Sequence, residues 1–358
     1  MFKTFTRFAF IFVICLFLVS WGSVGHQIIS KKAPDSFPSV MTGFGVWSDS
    51  LRLHASDADN RKSADPTESP KHFIDIDNYT EFRSTGRIVS TYDSLVSLHG
   101  ATTVSKNGIL PYATRNTYDS LKNCFKKLQW HKAMLFASDL GHYVGDGHMP
   151  MHLTANYDGG STGNNGIHSR YESDMVGAYQ TNLNNYTGSS VTHVSNINNY
   201  VFTYIYRNYH YVDSVIIADN YAKGIDATYG TAYTTALWSK TQFTTTLFKN
   251  ASHALAELIY SAWVDAGSPV FGSKTFPSAV NSLKSFNVSV YPNPTRGIVN
   301  LIGEDDIYKA EVTSIDGKVV GSYAVKQFDL SHLSKGVYVL SIYSKEGLVQ
   351  KEKLMIVN

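Results

Sequence analysis

The sequence contains very little cysteine and no excess of either charge. Only two cysteines, Cys15 and Cys124, occur in 358 residues, and Cys15 lies in an apolar N-terminal run that we expect to be removed. A mature chain with a single cysteine forms no intramolecular disulfide, which excludes a disulfide-stabilised scaffold. The 31 basic residues nearly balance the 29 acidic ones. Composition therefore does not predict a broad basic surface that captures nucleic acid by charge.

Long apolar runs, internal repeats and blocks of like charge are also scarce. The one long apolar run, FAFIFVICLFLV, follows Lys3 and Arg7 and ends just before Ser20. This order is typical of a secretory signal peptide, which we expect over residues 1–20. The run is too short to predict a membrane span. Hydrophobic residues make up 43% of the sequence and charged residues 17%, which indicates a folded chain whose length favours two domains.

Residues 21–268 have the character of a mainly helical domain. Apolar residues recur at three- and four-residue spacing, most clearly over residues 118–144 and 243–264, which predicts buried helical faces. The first stretch is expected to form one such face, made of Leu121, Phe125, Leu128, Leu135 and Leu140. The second is expected to bury Leu247, Leu255, Ile259 and Trp263.

The pattern changes after residue 268. Residues 269–285 are rich in Pro, Gly and Ser and predict a linker. Residues 286–358 contain short alternating runs separated by turn signals, which predict a small all-β sandwich. Six apolar residues are expected to face its interior: Val290, Ile298, Leu301, Val337, Val339 and Ile342.

The strongest chemical signal is the string HYVGDGHMPMH, followed by GIHSRYE. His142 and Asp146 are four residues apart, as are His168 and Glu172, so each pair shares one helix face. Pro150 ends the first helix and lets His152 turn towards a neighbouring site. Zinc readily takes imidazole nitrogen and carboxylate oxygen as ligands. Each pair alone could be a surface ion pair, but two pairs with a third histidine between them favour a metal site.

Further candidate ligands lie upstream. HASDADNR contains Asp57 and Asp59, and PKHFIDID contains His72 with Asp75 and Asp77 nearby. WGSVGH contains Trp21 and His26. If the signal peptide is cut immediately before Trp21, its free amine can also ligate zinc.

In their order, the strings WGSVGH, HASDAD, KHFID, HYVGDxxxPxH and HxxxE resemble the zinc-dependent superfamily that joins bacterial phospholipase C to the fungal and plant single-strand-specific nucleases. The resemblance covers about residues 21–268. It implies a mainly α-helical catalytic domain with three zinc ions in a cleft, which cleaves phosphoesters.

The resemblance also implies a ligand set for each ion. The first zinc would be held by Asp57, His72, His142 and Asp146. The second would be held by Trp21, through its amine and carbonyl, and by His26, with Asp146 bridging. The third would be held by His152, His168 and Glu172. Asp57 would also orient the attacking water or act as its general base, and Asp59 satisfies the same spacing to His72, so the choice between the two stays open.

The two branches of the superfamily act on different substrates, phospholipid or single-stranded nucleic acid, and the sequence has features of both. Glu172 as the last ligand, the strings HYVGD and GIHSRYE, the short gap between His152 and His168, and the lack of disulfides resemble phospholipase C. The five-residue interval from Trp21 to His26 and the string KHFID resemble the nucleases. We expect a secreted phospholipase C-like phosphodiesterase acting on phospholipid, with an endonuclease acting on single-stranded DNA or RNA as the alternative. A second alternative is a secreted binding module in which the zinc is only structural.

The C-terminal strings NVSVYPNPTRG and LSKGVYVL resemble the C-terminal sorting domain of the type IX secretion system, over roughly residues 286–358. The resemblance implies export through the periplasm, with the type IX machinery as partner, to a secreted or cell-surface location. The alternative is a generic sandwich that binds a carbohydrate or protein partner.

Overall fold

The computed structural model describes residues 22–273, 288–303, 307–315, 317–344 and 349–357. The predicted signal peptide, Trp21 and most of the predicted linker lie outside these residues. The chain divides into two compact units, Met1–Lys274 and Thr275–Asn358. Each unit has its own hydrophobic core.

The first unit is built from α-helices. In the part of the chain that the structure describes, they are α1 (Gly22–Lys32), α2 (Trp47–Leu53), α3 (Asp57–Arg61), α4 (Thr80–Thr85), α5 (Tyr92–His99), α6 (Ala101–Lys106), α7 (Leu110–Lys126), α8 (Trp130–Asp146), α9 (Ile167–Ser169), α10 (Val176–Ala178), α11 (Gln180–Leu183), α12 (Ile197–Tyr209), α13 (Val212–Ile225), α14 (Thr231–Lys240) and α15 (Phe243–Asp265). Among these described helices, none combines the length and the apolar character that crossing a membrane requires.

Short helical segments of other types lie between the α-helices. The 3-10 helices are Ala33–Ser36, Ser39–Val46, Ser69–His72, Ile76–Asn78, Pro150–His152 and Gly160–Thr162, and Arg170–Met175 is a π-helix.

The long helices α7, α8 and α15 pack into one buried cluster. Leu255 and Ile259 on α15 pack in it with Phe125 on α7 and Leu140 on α8. Burying each such side chain contributes about 1.5–3 kcal/mol. This packing fixes α8, whose last two turns carry His142 and Asp146. The prediction of a helix over residues 243–264 is confirmed.

The prediction of a single helical face over residues 118–144 is wrong, because the chain turns between α7 and α8 and forms two helices there. Leu128 has a φ of +54°. The amide of Gln129 donates to the Cys124 carbonyl at 2.9 Å and that of Leu128 to the Phe125 carbonyl at 3.0 Å. These two bonds and the left-handed residue form a Schellman motif that closes α7. The usual glycine is replaced by leucine here, so the apolar periodicity runs through the break.

The second unit contains two antiparallel sheets. Its strands are β1 (Ser289–Tyr291), β2 (Ile298–Ile302), β3 (Ile307–Ser314), β4 (Val319–Tyr323), β5 (Gln327–Asp329), β6 (Gly336–Ser344) and β7 (Val349–Ile356). The sheet orders are β1-β2-β5 and β4-β3-β6-β7. Apolar residues of both sheets, such as Leu301 and Leu340, share one core. The predicted fold class, a mainly helical domain followed by a small β sandwich, is confirmed.

Half of the predicted inward-facing residues of the sandwich are correct. Leu301 and Ile342 are buried, and Val290 packs against the core. Ile298, Val337 and Val339 were assigned to the wrong face, since all three are exposed. Successive strand residues alternate between faces. Both faces of β2 and β6 carry aliphatic residues, so hydrophobicity alone did not select the face.

Candidate metal centre

The candidate ligands converge from separate segments of the first unit. They are His26 on α1, Asp59 on α3, His72 at the end of Ser69–His72, His142 and Asp146 on α8, His152 at the end of Pro150–His152, His168 on α9, and Glu172 in the π-helix. Three groups of them have donor atoms within 4.8 Å of one another: the first group is Asp59, His72 and His142; the second is His26, His142 and Asp146; and the third is His152, His168 and Glu172. Asp146 of the second group also borders the first.

Four donor atoms surround one point in the first group. His142 Nε2 lies 3.0 Å from His72 Nδ1 and 3.4 Å from both Asp59 Oδ1 and Asp146 Oδ2. His72 Nδ1 lies 3.1 Å from Asp146 Oδ2 and 3.5 Å from Asp59 Oδ1. Donor atoms about 2.0–2.1 Å from a tetrahedral zinc are about 3.3–3.4 Å apart. The observed spacing therefore fits a zinc ion held by these four residues.

Asp146 serves a second position with its other oxygen. Its Oδ1 lies 3.4 Å from His26 Nε2, whereas its Oδ2 faces the first group. The His26 and His142 rings stack with centroids 3.8 Å apart. A carboxylate in this position can bridge two cations, as the family resemblance implies for Asp146. Trp21, the remaining predicted ligand of this position, lies outside the described residues.

The third group lies next to the bridging carboxylate. Glu172 Oε2 is 3.1 Å from His168 Nε2 and 3.4 Å from His152 Nε2. All three side chains are buried, and neither the two Nε2 atoms nor the Glu172 oxygens have a partner in hydrogen-bond geometry. Buried polar atoms without such a partner are rare. Their convergence at these distances fits a third cation.

Backbone carbonyls orient three of the histidines. His142 Nδ1 donates to the Ala55 carbonyl at 2.7 Å, and His152 Nδ1 donates to the His72 carbonyl at 2.6 Å. His168 Nδ1 lies 3.3 Å from the Tyr157 carbonyl, which accepts its proton. In each ring Nδ1 is engaged by its carbonyl, so Nε2 is the atom that faces its group and can bind a metal. Metal-ligating histidines are typically fixed in this way.

The structure places only one of the two aspartates, Asp59, beside the candidate ligands. Asp59 faces His72 and His142, whereas Asp57 pairs with His54 at 2.7 Å and its side chain is 41% exposed. Residues two apart on a helix point in nearly opposite directions, about 200° apart. On α3 only one of the two can therefore face the site. The position that the sequence assigned to Asp57 is taken by Asp59.

The electrostatics of the first two groups favour a cation. Burial alone would lower the pKa of His142, but the carboxylates of Asp146 and Asp59 outweigh it and raise that pKa to about 9. Burial would raise the pKa of Asp146, but the neighbouring histidines, His142 foremost, hold it well below its usual value. The same negative charge that retains a proton on His142 attracts a metal ion, which must displace that proton to bind.

Glu68 is a site residue that the sequence reasoning missed. Its buried carboxylate accepts from the Tyr143 hydroxyl and from Lys71 Nζ at 2.8 Å. Its Oε1 lies 3.5 Å from His72 Nε2, so the opposite ring atom, Nδ1, faces the first group. A carboxylate that bonds to the far ring nitrogen of a metal-ligating histidine commonly fixes the orientation of that ring. The signal was available, since Glu68 and His72 have the same four-residue spacing as the ligand pairs.

His148 lies inside the strongest motif but outside all three groups. Its ring stacks on Tyr204 with centroids 4.5 Å apart, and its Nδ1 donates to the Val144 carbonyl at 2.8 Å. Burial lowers its pKa to about 3, so it stays neutral. These contacts give His148 a structural role.

A cleft of about 300 Å³ opens onto the first and third groups. Besides His72, His152 and His168, it is lined by Lys62, Ser69, Phe73, Asp75, Lys106, Met151 and Tyr157. The two lysines bring positive charge to a cleft that also has an apolar wall. The arrangement suits a ligand that has an anionic centre and an apolar portion.

Comparison with known families assigns the second unit. Residues 289–357 match the family described as the secretion system C-terminal sorting domain. The second unit is a sorting domain. This confirms the prediction for the tail, and a sorting domain implies export, followed by secretion or attachment to the cell surface. No curated protein matches the chain.

Solved structures include two toxins that are similar to the chain. The alpha toxin of Clostridium absonum is 13% identical, with a TM-score of 0.41 over 93% of this chain and 96% of that one. An alpha-toxin from an avian strain of Clostridium perfringens is 11% identical, with a TM-score of 0.44 over 94% of this chain and 97% of that one.

Proposed function

We propose that the first unit is a zinc-dependent phosphodiesterase of the phospholipase C type, which releases the phosphorylated head group of a phospholipid outside the cell. The observation that carries the proposal is the convergence of three donor groups, two of which border Asp146, beside a cleft that opens onto the first and third of them. Zinc bound there would make water more acidic and neutralise the charge that develops on a phosphoester. Structural zinc sites usually have four closed protein ligands. The third group offers three ligands, which favours catalysis over a purely structural role.

The residues of the chain have separate tasks in this reaction. Asp59 Oδ1 faces His72 and His142 and is paired with Lys62 Nζ at 2.6 Å, and we assign to this carboxylate the task of accepting a proton from the attacking water. This transfers to Asp59 the base role first assigned to Asp57. Lys106 lines the cleft and would bind the anionic phosphoester, whereas Lys62, which also lines it, is paired with Asp59.

Two kinds of observation favour a lipid substrate. The first is the sequence resemblance of the third-group motif, in which Glu172 is the last ligand, to phospholipase C. The second is the apolar wall formed by Phe73, Met151 and Tyr157, which suits the glycerol and upper acyl region of a phospholipid.

Single-stranded nucleic acid is the second candidate substrate. Phe73 follows His72 directly in the sequence, Asp75 lies three residues after it, and both line the same cleft. An aromatic face can stack on an unpaired base, and a carboxyl group can bond to a base edge. Burial and the neighbouring Asp77 raise the pKa of Asp75 to about 7, so this group can act as acceptor or donor near neutral pH.

A substrate panel tests the proposal. Mature protein is incubated with phosphatidylcholine vesicles, single-stranded DNA and RNA, each with and without a zinc chelator. We expect release of diacylglycerol and phosphocholine, which the chelator stops and added zinc restores. Cleavage of DNA or RNA without lipid hydrolysis would make the chain a nuclease, and no cleavage of any substrate would favour the zinc-stabilised binding module.

Metal content gives a second test. The three groups predict three zinc ions per mature chain. His168→Ala should lose chiefly the third ion, because it removes one of only three ligands. Asp146→Ala should disturb the other two together, since its two oxygens face different groups. Elemental analysis of the purified proteins measures this, and one zinc or none in an active preparation would contradict the three-ion arrangement.

Gly145 allows a milder test at the second position. A β-carbon on Gly145 would lie 2.9 Å from His26 Nδ1 and 3.0 Å from its Cε1. We expect Gly145→Ala to push the imidazole off Asp146, so that this zinc is lost at a lower chelator concentration. Gly177→Ala is the matched control, because nothing lies within 4 Å of its added β-carbon on α10. Equal zinc retention in the two variants would count against the role of His26.

The sorting domain is expected to take no part in hydrolysis. Deleting residues 286–358 should leave the rate on phosphodiester substrates unchanged, because every candidate ligand belongs to the first unit. The deletion should also stop export through the type IX machinery, the proposed partner. Activity of the purified truncated protein and its distribution between cell and medium measure the two effects. A truncated protein that folds but no longer cleaves would contradict the separation.

A further inference from the structure

We infer that Arg170 and Asp219 are positioning residues for the third group. Together they hold residues 156–166 in place, so that Tyr157 orients His168 and forms a wall of the cleft. The inference rests on the proposed zinc-dependent function. It extends that function to two residues that are not ligands, Arg170 within the string GIHSRYE and Asp219 outside every string that the sequence singles out.

Arg170 lies between the two ligands His168 and Glu172 and points away from them, into a buried polar network. Its Nη1 donates to the Asn165 carbonyl at 2.7 Å, and its Nη2 donates to the Asn164 carbonyl at 3.3 Å. Both carbonyls belong to the end of the segment 156–166. The Arg170 guanidinium therefore binds that segment, and it does so from the same helical turn that carries His168 and Glu172.

Asp219 on α13 anchors the guanidinium. Its Oδ1 accepts from Arg170 Nη2 at 3.0 Å and from the Tyr233 hydroxyl. Its Oδ2 accepts from Asn164 Nδ2 at 2.5 Å and lies 3.1 Å from Lys223 Nζ. Asp219 is fully buried. Its four donors come from α13, α14, the π-helix and the segment itself, so the carboxylate ties the segment to the rest of the unit.

The packing around Arg170 leaves it little freedom. The guanidinium lies 4.3 Å from the centre of the Tyr229 ring, and its Nε donates to the Tyr233 hydroxyl at 2.9 Å. A β-carbon on Gly166, whose φ is +82°, would lie 2.7 Å from Arg170 Nη1. A lysine has no planar fork with which to make these bonds together.

The start of the segment is fixed by a different residue. Asp77 accepts from Thr154 Oγ1 at 2.6 Å and from the Ala155 amide at 2.8 Å. Asp77 thus fixes the two residues that lead into the segment, and Arg170 fixes its end. The segment is therefore a fixed wall of the cleft.

The held segment acts on the third group through Tyr157. Its carbonyl accepts from His168 Nδ1 at 3.3 Å, which keeps Nε2 bare and aimed at Glu172. Its ring lies edge-on to the His168 ring, with centroids 6.0 Å apart, and lines the cleft. Release of the segment would loosen both the ligand and the cleft wall, although neither Arg170 nor Asp219 touches substrate.

The test replaces Arg170 by methionine, which keeps the bulk and removes the charge and all donors. Loss of such a supporting partner costs about 10- to 100-fold in metal affinity. We expect Arg170→Met to lose one zinc equivalent at a chelator concentration about 10- to 100-fold lower than the wild type needs, with the other two ions retained. Protease cleavage within residues 156–166 should accelerate, and kcat on a chromogenic phosphodiester should fall more than KM changes. Arg170→Lys should lie between Arg170→Met and the wild type.

The matched control is Arg115→Met, because Arg115 on α7 is half exposed and has a single distant ion pair, 4.0 Å from Asp119. It should match the wild type in every measurement. If Arg170→Met does not fold, Lys223→Met serves instead. Lys223 is partly exposed, donates to the Gly163 carbonyl at 3.0 Å, and should give a smaller shift in the same direction.

Wild-type zinc retention and wild-type protease resistance in a folded Arg170 or Lys223 variant would overturn the inference. Zinc retention and proteolysis are measured without any lipid. A chain that hydrolyses no phospholipid, but loses one zinc selectively in Arg170→Met, would therefore refute the proposed substrate while supporting the positioning role.

Discussion

Asp59→Asn is expected to reduce phosphodiester hydrolysis by at least about 100-fold, whereas Asp57→Asn leaves it nearly unchanged. Asp59 shares the first group with His72 and His142. An amide oxygen carries no charge and is a poorer zinc ligand than a carboxylate oxygen. Loss of an indirect partner of a zinc ligand already costs about 10- to 100-fold, so loss of a ligand that also accepts the proton from water should cost more.

Asp57→Asn is the matched control for that substitution. It makes the same chemical change two residues away on the same short helix. Asp57 and its partner His54 are both partly exposed, and an exposed pair of this kind contributes about 1 kcal/mol or less. Rates on a chromogenic phosphodiester and zinc content of both variants give the comparison. Loss of zinc and rate in Asp57→Asn, with Asp59→Asn active, would show that the site rearranges when metal binds.

The ligand pairs close in sequence were predictable from spacing alone. His142 and Asp146 lie one turn apart on α8, and His168 and Glu172 are one turn apart across α9 and the π-helix. Four-residue spacing places side chains on one helix face whatever the rest of the fold does. The two-unit organisation was predictable for a similar reason, because the hydrophobic period changes from helical to alternating along the chain.

Which of two aspartates on the short helix α3 points towards the site was not predictable from the sequence. Asp57 and Asp59 lie 15 and 13 residues before His72, and both spacings were acceptable. The choice depends on how α3 is rotated against α8, which the packing of the unit decides. Leu128 is a similar case, since only the two carbonyl contacts that close α7 show that the helix ends there.

The supporting residues were missed because their partners are remote in sequence. Glu68 meets Tyr143, 75 residues away, and Arg170 meets Asp219, 49 residues away. No local pattern marks such a pair. Of these supporting residues, only Glu68 could have been recognised from the sequence, by its four-residue spacing to His72. Ligands that follow helix geometry can therefore be found from sequence, whereas the groups that orient them require the tertiary structure.

The second large loss of activity is expected when the free amine of Trp21 is blocked. The structure begins to describe the chain at Gly22, which is buried, and a β-carbon on Gly22 would lie 3.3 Å from Ser173 Oγ and 3.7 Å from the Glu172 carbonyl oxygen. The start of α1 therefore runs beside the π-helix that carries Glu172, and His26 follows one turn later. A chain cut immediately before Trp21 would begin one residue before Gly22.

Adding one residue before Trp21 is expected to lower the phosphodiesterase rate by orders of magnitude while the protein still folds. An α-amino group normally has a pKa of about 8 and is protonated at pH 7, so zinc must displace its proton to bind. The extended chain has an amide at this position, which cannot replace the amine as a ligand. The zinc at His26 and Asp146 should therefore bind weakly, whereas the ion at the third group should stay.

If Trp21 is only a buried aromatic, the extra residue should be tolerated. Mass spectrometry of the N-terminus, with zinc content and rates of the native and extended forms, decides the matter. Equal zinc content and equal rates would reject the amine as a ligand, and with it the hypothesis that signal-peptide cleavage completes the site.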